Sequence, residues 1–433
     1  MRLFLILSFC LRAFAETDLP STFDLRNADG KNYVSTVKNQ SGGTCWTHGT
    51  MAAIESNLMI TGMWDSQGES GEANLAEYHL DWWNGFNQHF NRDISPKTGG
   101  LTVHQGGDYK VAAAYLARGA GVVREIDGQS YQTPPKENTA AYRFYYVRDI
   151  EWLDAGDQLE TIASIKQTLK ENGVIGTALT WDSKYYANGT FYQPNSSHEK
   201  PNHAVSIIGW DDKKITQAAK PGAWLAKNSW GSGWGSKGYF WISYYDKVTG
   251  HHPEMGAVAF KNTERLSYSN IYSHDYHGWR DTKPVSEAFN AFTAKGNPQG
   301  REKLKSVSFY TTEDETEFSV KVYRSFIDGE LRDLVSVRDG VMPHRGFHTT
   351  DLAWPVYLTT GETFYVAVSL MRGGHAFDKT SNVPLLLGGG GRPIVESRAK
   401  PGESFYRAAS GWIDLTKDDP SANFCIKALT INE

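Results

Sequence analysis

Cysteine is nearly absent: the 433 residues hold three, Cys10, Cys45 and Cys425. A small scaffold stapled by disulfides is therefore excluded, and a chain of this length can build a core that holds without them. Long apolar runs are missing too. After the first fifteen residues nothing is apolar over the roughly 20 residues that a membrane-crossing helix needs. Charge of one sign is not in excess, because 44 Lys and Arg stand against 49 Asp and Glu for a formal −5. That balance gives no basic surface for nucleic acid. The glycine run Gly388 to Gly391 lacks a following Lys-Ser or Lys-Thr, so it is expected to be a flexible turn and not a phosphate cradle.

What is present begins with a leader. Arg2, the apolar run Leu3 to Leu11 and the small-x-small triplet Ala13-Phe14-Ala15 read as a signal peptide over residues 1–15, so the protein is expected to be secreted or to lie at the cell surface or in the periplasm. Phe9 is too bulky to precede a lipidated Cys10. Cleavage near Glu16 removes Arg2 and Arg12, which takes the formal charge to about −7. It also leaves almost nothing ahead of Leu19, so no inhibitory pro-segment is expected. Two thiols then remain, Cys45 and Cys425, in different halves of the chain.

Cys45 stands about 160 residues before Pro201-Asn202-His203-Ala204-Val205 and about 180 before Lys227-Asn228-Ser229-Trp230-Gly231. A thiol, an imidazole and an amide in that order supply a nucleophile, its proton acceptor and a group that orients the acceptor. A thiol is only slightly ionised at neutral pH, so the thiolate must be favoured by an imidazolium or a helix N-terminus. Cys45 has both prospects. It follows the turn-forming Ser41-Gly42-Gly43-Thr44 and precedes Met51, Ala53, Ile54 and Leu58 at helical spacing. His203 opens the apolar run Ala204 to Gly209, which reads as a buried strand. Gln40 can offer an amide N–H, beside the backbone N–H of Cys45, to an oxyanion.

These residues sit within a longer match. Leu19-Pro20-Ser21-Thr22-Phe23-Asp24-Leu25-Arg26, Val37-Lys38-Asn39-Gln40, Cys45-Trp46, Asn202-His203-Ala204-Val205 and Asn228-Ser229-Trp230-Gly231-Ser232-Gly233-Trp234-Gly235 resemble, in that order, the papain-like cysteine peptidases. The likeness covers roughly residues 19 to 260. It implies Cys45 as nucleophile, His203 as base, Asn228 as orienting residue and Gln40 as oxyanion donor. It further implies that Trp230 covers the His–Asn hydrogen bond, and that Gly106-Gly107 is the backbone that holds an extended substrate. Leu75 to Leu80 resembles the family's second helix. Three departures stand out. Five positions separate Gln40 from Cys45 where six are usual, the cysteine that normally precedes the nucleophile is missing, and Thr47-His48 replaces small and aromatic residues.

The chain is expected to be α+β, a papain-like two-lobed catalytic domain with a helical lobe and a β lobe over residues 16–262, followed by an all-β sandwich over 263–433. Helical patterns run from Cys45 to about Gly121, including Tyr109 to Arg118, and recur at Leu159 to Glu171. Strands are expected at Val174–Leu179, Ala204–Trp210, Ala223–Lys227, Tyr239–Tyr245 and Ala257–Phe260, which leaves a cleft between a helical and a β wall. Beyond Asn262 the alternation of Val307-Phe309, Phe318-Val320-Val322, Phe364 to Leu370 and Phe424-Ile426-Ala428 has the period of half-buried strands. Tyr272 to Trp279, Gly411 to Leu415 and Asn423 to Ala428 resemble the lectin-like domain that follows such catalytic domains in some microbial surface proteins.

Several residues carry two readings. His48 on the Cys45 helix is expected to pack and not to act as base, since a base approaches from the facing wall. Cys425 reads as a buried small hydrophobe in an alternating strand. His251, His252 and Glu254, or His274, Asp275 and His277, are read as solvated polar residues and not as metal ligands. The resulting expectation is a secreted cysteine endopeptidase working through an acyl-enzyme, with protein or peptide substrates and no metal or organic cofactor. The C-terminal sandwich is expected to bind a carbohydrate or other cell-surface ligand. An adhesin or carbohydrate-binding protein whose protease half is impaired is the alternative. A peptide ligase or amidase with the same three residues also remains open.

Overall fold

The computed structural model describes residues 19–94, 99–296, 300–386 and 392–433. The leader and the glycine run at 388–391 lie outside them. The organising element of the first half is the helix Cys45–Ile60, buried from Cys45 to Leu58 on every side. A helix buried all round cannot be amphipathic, so its polar residues must find partners. They do: Asn57 donates to the Asn172 carbonyl at 3.0 Å and accepts from the Thr263 N–H at 3.0 Å, while Ser56 accepts from the Val174 N–H at 3.0 Å. The helix thereby pins the strands that surround it.

Against one side pack the helices Glu77–Trp83 and Tyr109–Ala117. Asp108 caps the second by accepting from the Val111 N–H at 2.7 Å. Against the other side lie the strands Ile175–Leu179, His203–Asp211 and Ala257–Arg265. The antiparallel ladder continues through Ala223–Lys227 and Tyr239–Ser243. The N-terminal strand Thr22–Asp24 pairs with the far end of His203–Asp211, where Gly209 is required because a Cβ there would lie 2.2 Å from the Phe23 carbonyl oxygen.

Two elements differ from the sequence reading. Tyr145–Leu153 is a nine-residue strand where no element was expected, and it pairs with Ala257–Arg265 along its whole length. Its edge then receives Gly346–Thr359 from the C-terminal region, with Phe347 opposite Ile150. The large sheet is therefore continuous from one region into the other, and a second sheet of six strands packs on its C-terminal part. Leu304, Val307 and Leu358 face Val320, Phe364 and Val366 across the sandwich core. The second difference is Phe424-Ile426-Ala428. It is split into Asn423–Phe424, which pairs with His375–Asp378, and Lys427–Asn432, which pairs in the large sheet with Arg301–Thr311; the chain turns between the two sheets where the Ile426 N–H donates to the Phe424 carbonyl at 2.8 Å. Cys425 is buried as expected, but in the break between two strands. No helix among the described residues is long and apolar enough to cross a membrane.

Candidate active site

Cys45 is the first residue of its helix. The preceding loop is folded tightly beneath it: Thr44 donates to the Ser41 carbonyl at 2.9 Å, and the Gly43 N–H donates to the His104 carbonyl at 2.7 Å. The backbone N–H groups of Cys45, Trp46 and Ala204 all favour negative charge on the sulfur. Ala204 directly follows His203, so the strand that carries the imidazole comes up against the thiol. Cys45 is only 2% exposed, and this burial pushes its thiol up to about 11.

His203 opens the strand His203–Asp211, where it pairs with Leu179 on one side, and the strand gains its second neighbour, Ala223–Lys227, from Ser206 onward. Its Nε2 lies 2.8 Å from Asn228 Oδ1. That oxygen also accepts the Ser229 N–H at 2.8 Å, so it is an acceptor and the imidazole Nε2 must donate. A neutral ring with the proton on Nε2 leaves Nδ1 bare and able to accept a proton. Trp230 stacks on the ring at 4.5 Å and 22°, with Trp181 and Trp234 edge-on to Trp230. The enclosure pushes the imidazole down to about 4, against the opposing effect of the Asn228 hydrogen bond.

Gln40 is half-buried and ties the loop to the Asn228 segment: its Oε1 accepts from Ser229 Oγ at 2.6 Å, and its backbone N–H donates to the Ser229 carbonyl at 2.7 Å. Its side-chain amide donates to the Gly42 carbonyl at 2.9 Å. That bond uses one of the two amide hydrogens and leaves the second for another acceptor. Gly106 has a φ of +100°, and a Cβ on Gly107 would lie 2.5 Å from the Trp46 ring. Gly107→Ala is thus expected to displace the segment, lowering stability by about 1–3 kcal/mol and raising KM for peptides. Thermal melting and steady-state kinetics check this.

The sequence reading missed what lies on top and behind. On top, the Leu386 N–H donates to the Gly107 carbonyl at 3.1 Å, and the thiol of Cys45 contacts the Leu386 carbonyl at 3.7 Å. Beside it a cleft of about 640 Å³ is lined by Trp181, Pro201, Asn202, Glu254, Met255 and Leu385. Behind the helix, Lys38, Glu55, Glu77 and Lys227 form a buried ionic cluster around a cavity of about 20 Å³, with His48 on its wall. His48 bonds through Nδ1 to the Thr44 carbonyl at 2.8 Å, which makes it a packing residue of the loop. Lys38, Glu77 and Lys227 each lie in a segment with a local signature, but nothing local joins them to one another or to Glu55, since they are separated by up to 189 positions.

The reading of His274, Asp275 and His277 as solvated is corrected. Asp275 is fully buried in an ion pair with Lys427, and His277 is buried with Nδ1 on Ser397 at 2.7 Å and Nε2 on the Gly85 carbonyl at 3.0 Å. Asp93, His277 and Asp378 cluster within 4.8 Å, but both nitrogens of His277 are already committed. His251, His252 and Glu254 are partly buried; His251 bonds to the Tyr244 carbonyl at 2.8 Å and Glu254 pairs with Lys110 at 2.9 Å.

Comparison with known proteins bears on the same residues. Residues 271–430 match the lectin-like domain model. The chain is 27% identical over 229 residues to procathepsin L of Mus musculus, and 30% identical over 233 residues to pro-cathepsin H of Bos taurus. Each alignment covers 52% of this chain, and 60% and 59% of those proteins respectively. Among solved structures, the clostridial cysteine protease Cwp84 after propeptide cleavage matches with a TM-score of 0.76 at 23% identity, covering 96% of this chain and all of that one. The cysteine protease and lectin-like domains of Cwp84, a surface-layer-associated protein of Clostridium difficile, match at 0.75 and 22%, covering 96% of this chain and 89% of that one. At this identity the likeness is one of fold, and it extends over both regions. Residues 19–258 match the papain family cysteine protease model, more than half of the chain, and the protein belongs to that family.

Proposed function

We propose that the protein is an exported cysteine endopeptidase that cleaves peptide bonds through a thiol acyl-enzyme. The observation that carries this is the bond from His203 Nε2 to Asn228 Oδ1, stacked under Trp230, one residue from the Ala204 N–H that faces the Cys45 sulfur. With Nε2 committed, Nδ1 takes the thiol proton. The sulfur then adds to the scissile carbonyl, and the N–H of Cys45, at the helix start, faces the oxyanion. Gln40 joins it through the amide hydrogen not held by Gly42. The imidazolium protonates the departing amine, and the neutral ring then draws a proton from water as the thioester is hydrolysed. Cys45, His203, Asn228 and Gln40 are thus the catalytic set, and Gly106, Gly107 and Trp230 line the substrate's path.

The second region is assigned to targeting. Trp354, 76% exposed on the strand Gly346–Thr359, offers a ring face suited to a carbohydrate or other cell-surface ligand. Such a role accords with a protein exported by its leader to the surface. The test is a fluorescent peptidyl epoxide, which alkylates an activated thiol. Labelling and peptide cleavage are expected in the wild type and absent in Cys45→Ala. A wild type that neither labels nor cleaves, even after the cleft is uncovered as described below, supports the adhesin reading instead.

A further inference from the structure

The thiol is covered by the C-terminal region of the same chain. A hairpin leaves the sandwich with Ser381 opposite Val395 and Asn382 opposite Ile394, and the Val383 N–H closes on the Pro393 carbonyl at 3.0 Å. One limb, Val383 to Leu386, enters the cleft. Leu386 is fully buried and shares one apolar core with Cys45 and Trp46. Its N–H is held by the Gly107 carbonyl, and its own carbonyl meets the sulfur. Leu385 reaches the neighbouring 640 Å³ cleft. The returning limb is anchored on the helical lobe. The Gly100 N–H donates to the Ile394 carbonyl at 3.0 Å, Asn91 donates to the Glu396 carbonyl at 3.2 Å, and the Arg398 N–H donates to Asp93 at 2.6 Å.

A peptide substrate needs the backbone of Gly107 and access to the sulfur, and Leu386 holds both. We infer that the limb Val383–Leu386 is a built-in pseudosubstrate strap: it keeps the protease latent and competes, within the chain, with any peptide for the Gly107 backbone and the Cys45 thiol. This rests on the proteolytic reading above. The limb's own hold on the cleft is apolar burial plus one backbone hydrogen bond to Gly107, so it can lift while the returning limb stays anchored on the helical lobe. A substrate sees only the fraction of molecules with the strap withdrawn, so its apparent affinity falls by that fraction. The raised pKa of Cys45 and the lowered pKa of His203 fit the covered state, in which both groups are neutral. Withdrawal readmits water and lets the ion pair form.

The experiment compares full-length wild type with Leu386→Ala and Leu386→Pro. The first removes the buried side chain, and the second removes the N–H that Gly107 accepts. Two readouts are taken on protein shown to be folded by circular dichroism: kcat/KM on a fluorogenic peptide, and the rate at which iodoacetamide alkylates Cys45. Both are expected to rise about tenfold or more in either variant, with KM falling and kcat little changed. The alkylation rate should also begin to climb at lower pH, since uncovering returns the thiol toward its ordinary range. Unchanged alkylation and unchanged kcat/KM in both folded variants overturns the strap. So does a wild type that cuts itself after Leu386 when Cys45→Ala does not, because the segment is then a substrate. Faster alkylation with no peptide cleavage by any form keeps the strap and sinks the proteolytic reading, so the two failures are distinguishable.

Discussion

Replacing His203 with Ala is expected to lower kcat/KM for peptide cleavage by about a thousandfold or more. The ring is the base of the proposed mechanism, held in place by Asn228 and Trp230. His48, on the same helix as Cys45, has its Nδ1 on the Thr44 carbonyl and looks into the ionic cluster behind the helix. It cannot substitute without breaking its bond to the loop that leads into Cys45. Asn228→Ala should cost less, because the ring remains but loses the acceptor that fixes its proton on Nε2. Trp230 still stacks on it. The double variant should therefore be little worse than His203→Ala alone, since the amide acts only through the ring. The assay is best run in the Leu386→Ala background, where the base is not masked by the strap. A His203→Ala protein that is folded and cleaves at near the parent rate would exclude His203 as base.

Which parts of this site were legible in the sequence follows from the range of the forces involved. Cys45 at a helix start, His203 at the head of an apolar strand and Asn228 before Trp230 each carry a local signature. A turn precedes the first, a buried run follows the second, and an aromatic cover follows the third. The strands Ile175–Leu179 and Ala223–Lys227 showed themselves for the same reason, as short apolar runs between turn residues. Tyr145–Leu153 did not, because Arg148, Asp149 and Glu151 interrupt the pattern. Those charges are settled by partners far along the chain: Arg148 by Glu264 and Asp351, Glu151 by Lys261, and Asp149 by Asn262 and His348. A strand that joins two regions is read by both, and neither is adjacent to it in sequence. The strap is harder still, since nothing distinguishes Leu386 from any other turn-flanking leucine until the Gly107 backbone is brought to it.

The ionic cluster behind the Cys45 helix is the other place where distant residues decide the outcome, and Glu55→Ala should lower stability by about 3–5 kcal/mol. Glu55 is 1% exposed. It accepts from Ser35 Oγ, from Lys38 at 3.1 Å and from the Leu75 N–H at 2.8 Å, so it joins the N-terminal segment and the segment leading into the helix Glu77–Trp83 to the Cys45 helix. Two ammonium groups, Lys38 and Lys227, balance two carboxylates, Glu55 and Glu77. Removing one carboxylate leaves a buried positive charge and three donors without their acceptor. Lys227 is the group that reports this. Burial pushes its ammonium down to about 8 against the attraction of Glu55, while its Nζ donates to the Ser35 carbonyl at 2.8 Å. Because the folded value lies below the ordinary lysine value, the unfolded chain binds more protons between about pH 8 and 10.5. Stability from this group therefore rises with pH across that window. Without Glu55 the folded value drops further, Lys227 sheds its proton earlier, and the deficit of Glu55→Ala should narrow as pH is raised from 7 toward 9. Urea unfolding at several pH values measures it. A deficit that stays constant or widens over that range would mean that Lys227 is not electrostatically tied to Glu55.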